Sequence, residues 1–239
     1  MTRAAAIAAA MSFGFVAGIC PALAGQQVYV YSVMHPLYGD IGTFTDRIDR
    51  NSISTRIDSK LRIAVTFLGV VAFRQDSDTT EIMHGDRLVS LQSVTDKDGQ
   101  HLEVHGKIQG DRFVVIATGG SYDGPAAIAP SDPWVLNRTG DETVVFTDTG
   151  RIIKMHVSGG GYEMVSVNGT SVSARHFIVM GDRQQEVWLD DQEIPIMFRT
   201  VEDGTAIDFM LQNVPSMAGG NSADSWKAFP LIRQPSAPK

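Results

Sequence analysis

The 239-residue chain has one cysteine, Cys20, and it lies in the N-terminal apolar run rather than in the body of the sequence. Once that run is removed no thiol is left, so disulfides are excluded and the chain must hold itself together by core packing alone. No second apolar stretch is long enough to cross a bilayer, which leaves no transmembrane segment in the mature chain. Basic residues are outnumbered, with 20 Lys and Arg against 27 Asp and Glu. That balance favours solubility and argues against nucleic acid or an anionic membrane as the main partner.

Motifs that carry chemistry are missing as well. "GGG" at Gly159 to Gly161 is followed by no Gly-Lys-Ser/Thr and by no dinucleotide-binding glycine pattern. "GGSYDG" comes nearest to a nucleophile elbow and lacks the required glycine. "DKDG" at Asp96 to Gly99 begins like a calcium loop, but the third ligand position and the closing Glu are absent. In "HLEVH", His101, Glu103 and His105 share one strand face. Extended backbone separates the two histidines by roughly 13–14 Å, which strains any joint grip on a metal at about 2.0–2.1 Å. His35, His84, His156 and His176 occur singly. No catalytic residue, metal site or cofactor is assigned. A Ser–His–Asp group gathered from distant strands stays open, since geometry alone defines it.

What is present begins with a leader. Arg3 gives a positive start, Ala4 to Ile19 an apolar run, and "ALA" at Ala22 to Ala24 a small-residue cleavage site. A membrane anchor would need a longer span with flanking charges. A lipid-modification site would need a small residue before Cys20, where Ile19 stands. Cleavage following Ala24 is expected, giving a periplasmic or secreted protein of 19 basic and 27 acidic residues and a formal charge of −8.

Beyond the leader the sequence alternates with period two. In "TRIDSKLRIAVTF", Ile57, Leu61, Ile63, Val65 and Phe67 oppose Arg56, Asp58, Lys60 and Arg62. "HLEVHGKIQ" and "AIDFMLQNV" repeat the pattern, which is that of antiparallel strands with one wet face. Short turns separate the runs: "HGD" at His84, "DKDG" at Asp96, "QGD" at Gln109, "NG" at Asn168, "GDR" at Gly181 and "EDG" at Glu202. The stretch "EVWLDDQEIPIMF", Glu186 to Phe198, reads as a hairpin corner, because adjacent carboxyls at a tip see water instead of the apolar pocket that would split their pKa values.

The expected fold is all-β: a curved antiparallel meander, an open half-barrel or a partly closed barrel, of about ten to twelve strands on the hairpin count. Residues 1–24 form the leader and 25–214 a single antiparallel domain. A long Gly/Pro/Ala-rich loop, 118–140, interrupts it, and 215–239 form a mobile tail. The loop supplies the ligand-binding candidates, Tyr122 and Trp134. They either meet a ligand or, in Trp134's case, plug one end of the sheet.

Three segments carry a family resemblance: "YVYSVMHPLYGDIGTFTDRI", "EIMHGDRLVSLQSVTDKDGQ" and "VWLDDQEIPIMFRTVEDGTAIDFML". With them the chain resembles a family of exported bacterial proteins known as domains of unknown function. The resemblance implies curved antiparallel sheets, similar in shape to the half-barrels that carry lipids or lipid-modified proteins across the periplasm. It brings no catalytic residues. The leading expectation is a non-enzymatic envelope protein that binds an apolar ligand or lipid in its concave face. The alternatives are a structural or assembly partner of another envelope protein, and a hydrolase.

Overall fold

The computed structural model describes residues 25–134, 139–202 and 204–212. The leader and the C-terminal tail lie outside these residues. Strands form wherever the sequence alternates. The N-terminal set is β1 (Gly25–His35), β2 (Gly39–Arg50), β3 (Thr55–Phe67), β4 (Val70–His84), β5 (Arg87–Lys97), β6 (Gln100–Gln109), β7 (Arg112–Ala117) and β8 (Gly120–Pro125). The C-terminal set is β9 (Ala129–Pro130), β10 (Gly140–Val145), β11 (Ile152–Val167), β12 (Thr170–Met180), β13 (Gln184–Leu189), β14 (Pro195–Glu202) and β15 (Thr205–Leu211). All six turns anticipated from Gly, Asp and Asn join consecutive strands.

One sheet contains all fifteen described strands, in the order β8 to β1 followed by β15 to β9. Each half is a meander. The halves join where β1 pairs antiparallel with β15, Tyr31 opposite Leu211 through Met34 opposite Asp208. Every pairing is antiparallel except the short β9–β10 contact. The sheet is therefore all-β and barrel-like but not closed by a hydrogen-bonded ladder.

Its two edges, β8 and β9, are consecutive in the chain, so they necessarily lie near one another. Side chains fill the seam. A Cβ on Gly150 would lie 2.8 Å from Val115, and one on Gly124 would lie 3.1 Å from Ile152. The Leu88 amide donates to the Ile128 carbonyl. Gly124 of β8 and Pro130 of β9 are buried at this seam, while most of β8 stays exposed.

Two predictions need correction. The stretch 118–140 is not one irregular loop: it supplies β8, β9 and the start of β10. Gly and Pro hide these strands because they carry no alternating apolar side chain, and β9 needs only two residues of edge pairing. Those strands take the described count to fifteen, above the expected ten to twelve.

The "GGG" stretch is a bend. Gly159 has φ of 95°, and the β11–β12 register shifts between Gly159 and Gly161. A Cβ on Gly159 would sit 2.5 Å from the His176 carbonyl oxygen. Beyond the bend the hairpin lies against neighbouring strands. Trp188 Nε1 donates to Glu163, Tyr162 Oη to Asp191, and Asn168 Nδ2 to the Leu211 carbonyl at 2.6 Å. Val167 at its tip is fully buried, in one cluster with Trp188 and Met197. The hairpin thus covers apolar side chains on the sheet face opposite Val187, Phe198 and Phe209.

A Gly159→Ala substitution is expected to cost more than about 2 kcal/mol, through positive φ and the backbone clash. Gly161→Ala, with open space around its Cβ, should stay within about 0.5 kcal/mol. Urea denaturation of the two variants beside the parent checks the contrast. Equal losses would place the bend elsewhere.

Candidate binding cavity

Strand β4 reads "QDSDTTE" from Gln75 to Glu81, polar on both faces. In a curved sheet with an inner face, that composition puts polar groups inside. Ser77, Thr79 and Glu81 point inward, and cross-strand neighbours answer them. Ser77 pairs with Thr95 at 2.7 Å and Thr79 with Ser93 at 2.9 Å, each hydroxyl opposite its partner in the β4–β5 register. The hydroxyl pairs satisfy each other, which lets four polar side chains sit inside at little cost.

At the end of this stripe lie three carboxyl groups. Asp46, 1% exposed, accepts from Ser59 Oγ at 2.5 Å and from Trp134 Nε1 at 2.7 Å. Burial dominates and raises its pKa to about 7, although the two hydrogen bonds favour the anion and pull the other way. Glu81 is equally buried, and its pKa is raised well above the carboxylate range. The causes are burial first, then the charge of Asp132 and a hydrogen bond with it. Two carboxyls can hydrogen-bond only if they share a proton, so Glu81 and Asp132 hold one between them.

Beside these acids is a cavity of about 190 Å³. Ser77, Thr79, Glu81 and Asp132 form one side. Aromatic rings, two from β14 and β15 and one from β2, also line it. Phe198 stacks on Phe209 with centroids 4.3 Å apart, and Phe44 meets the two edge-on at 5.6 and 5.8 Å. Gln75, Arg183 and the exposed Glu202 form a rim. Lys97 and Glu202 approach to 3.6 Å at the same end, from the β5–β6 and β14–β15 turns. The volume corresponds to about six waters at roughly 30 Å³ each, and an apolar cavity of about 150 Å³ is enough to bind benzene. It is below the roughly 300–1,000 Å³ of sites for larger ligands. The concave face is mostly filled, with one small amphipathic hollow.

A larger recess of about 450 Å³ lies on the polar face of β2 to β6. Its charged groups already have partners: Lys60 lies 3.8 Å from Asp78, and Asp58 is held by Arg56. It brings together no Phe, Tyr or Trp ring and no buried acid, so the cavity beside Glu81 and Asp132 is the stronger candidate.

The predicted ligand residues are placed differently. Tyr122 is on β8, half-buried against the second core cluster with Phe113 and Val115. Trp134 packs its indole on Tyr29 at 4.6 Å and donates to Asp46. The two do not form one site, and neither lines the cavity. Trp134 is the plug, and it also fixes one of the buried acids. His101 sits between Asp96 at 2.7 Å and Glu103 at 3.1 Å on the wet face, an ion-paired surface. Among the described residues no group of three or more His, Cys, Asp or Glu stands in a metal-binding arrangement. The "DDQE" stretch is the expected corner, closed by Asp190 accepting from the amides of Gln192 and Ile194. Contrary to expectation, Asp190 does not see water: it is buried, and burial raises its pKa. Sequence reasoning overlooked Asp46, Glu81 and the hydroxyl stripe. The signal was the strand that is polar on both faces.

The buried acids set a pH dependence. Burial raises the folded-state pKa of Asp46 and Glu81, so between pH 4 and 7 the folded protein keeps protons that the unfolded chain releases. Their effect favours the fold below about pH 4, and stability falls as pH rises toward 7. The slope is about 1.4 kcal/mol per pH unit per group. Asp46→Asn should remove its share while keeping an acceptor for Trp134. Denaturation midpoints of parent and variant from pH 4 to 8 check this, and identical slopes would contradict it.

No curated protein matches the chain. Among solved structures it is similar to the crystal structure of a β-barrel-like protein of domain of unknown function DUF1849 from Brucella abortus. The TM-score is 0.58 at 11% identity, over 77% of this chain and 94% of that one. At that identity the likeness is one of fold alone. A family model matches residues 38–212, nearly the whole described sheet, and the chain belongs to the family described as a domain of unknown function, DUF6134.

Proposed function

We propose that this is an exported, non-enzymatic protein of the cell envelope, cleaved after Ala24, that accepts the apolar end of a small amphiphile in its interior cavity. The leader sequence supports export, and β1 begins at Gly25, directly after the proposed cleavage site. The observation that carries the binding role is the cavity's asymmetry. Phe44, Phe198 and Phe209 offer ring surface on one side, while Thr79 and the protonated Glu81–Asp132 pair offer hydrogen bonds on the other. Pockets that bind small molecules combine an apolar lining with a few convergent polar groups in this way.

The volume limits the ligand. A body the size of benzene or a short alkyl chain fits, whereas a whole long acyl chain does not. A lipid would therefore enter by one end only. Thermal unfolding of the processed protein with hexanol, octanol and phenol is the test. The midpoint should rise with each, and the rise should disappear in Thr200→Phe, which places a ring into the cavity wall. No rise with any of the three, or an equal rise in the variant, would remove the cavity from consideration as a site.

A further inference from the structure

The β3–β4 hairpin outreaches its neighbours. The last β2–β3 pair is Gly42 with Ile63, and the last β4–β5 pair is Gln75 with Lys97. Val65 is still buried in the core and Arg74 is bonded to Asp98, so residues 66–72 are the arm that projects as a hairpin tip at this end of the sheet. The tip is apolar and wet: Phe67 is 59% exposed, Leu68 87%, Val70 68% and Val71 56%. The β1–β2 turn at the same end adds Leu37, 82% exposed, and Tyr38. A contiguous apolar projection of this kind marks a contact with something apolar.

We propose that this arm inserts into the surface of a lipid bilayer. Three observations select that occupant over a protein. The tip presents four large apolar side chains, Phe67, Leu68, Val70 and Val71, far fewer than the roughly 20–30 residues a side of a standard protein interface. Residues 66–72 carry no charged side chain, in a chain where acids outnumber bases by 27 to 20. The arm is thus the part of an acidic protein that an anionic lipid surface does not repel. Finally, the arm stands at the end where Gln75 and Glu202 rim the cavity. Docking by this end turns the hollow toward the bilayer. The insertion holds whether or not the cavity takes a ligand, and the driving force is apolar burial rather than charge.

The test uses the full chain with one tryptophan added at either of two exposed positions. The quenching of the parent, with its native Trp134, Trp188 and Trp226, is subtracted, so that contributions from the N-terminal apolar run are separated. Leu68→Trp reports on the arm. Ile53→Trp, 75% exposed at the opposite end, is the control. With vesicles of phosphatidylethanolamine and phosphatidylglycerol carrying brominated chains, Leu68→Trp should be quenched and Ile53→Trp should not, in low and high salt alike. The double variant Phe67→Ser with Leu68→Ser, checked for an unchanged circular dichroism spectrum, should lose about tenfold or more in vesicle partitioning. Equal quenching of both reporters, or none at Leu68→Trp, overturns the proposal. So does sedimentation as a dimer that the double variant abolishes, which would assign the arm to a second copy.

Discussion

Four residue pairs between β1 and β15 hold the architecture together. Tyr31 to Met34 lie opposite Leu211 to Asp208. Without that ladder the chain is two separate meanders, each with a long open edge. With it, one sheet runs through all fifteen described strands, and its two free edges become β8 and β9, which follow one another in the chain. The Tyr31 hydroxyl, buried, adds a bond to the Pro195 carbonyl from across the sheet. Everything in the interior follows from this join, because the cavity draws on both halves: Ser59, Ser77, Thr79 and Glu81 from β3 and β4, and the rings of Phe198 and Phe209 from β14 and β15.

An interior built this way carries polar groups that a purely apolar core would exclude. The structure compensates in two ways. Hydroxyls pair across strands, and acids hold protons instead of charges. Trp134 contributes to both packing and hydrogen bonding, since its ring covers Tyr29 and its Nε1 reaches Asp46. The interior therefore gains ligand-like chemistry at the expense of some stability, as buried acids do wherever they are kept for use.

Local order was legible in the sequence. Alternation in Thr55 to Phe67 and in Gln100 to Gln109 located strands and their wet faces, and Asp-Gly and Asn-Gly pairs located the turns. Asn168 and Gly169 both adopt positive φ, as that dipeptide suggests. Long-range features were not legible. Nothing in "YSVM" or "DFML" says that Tyr31 to Met34 meet Leu211 to Asp208 from the other half of the sheet, because pairing depends on how the whole sheet curls. Strands β8 to β10 lacked side-chain contrast. The "GGG" bend reads as a loop until the His176 carbonyl is seen against it. The cavity's acids were hidden in a strand whose polarity on both faces looks like exposure unless the strand is known to have an inside.

The fold and the small amphipathic hollow both rest on the β1–β15 join. A pair of cysteines at Ser32 and Met210, which stand opposite each other in that ladder, tests the join directly. Paired strands bring the Cα atoms to about 5.5 Å or closer, within disulfide range. Under mild oxidation the pair should cross-link quantitatively and raise the unfolding midpoint. Failure to link, or linkage only when the second cysteine is moved to a shifted register, would contradict the single-sheet architecture and the cavity with it.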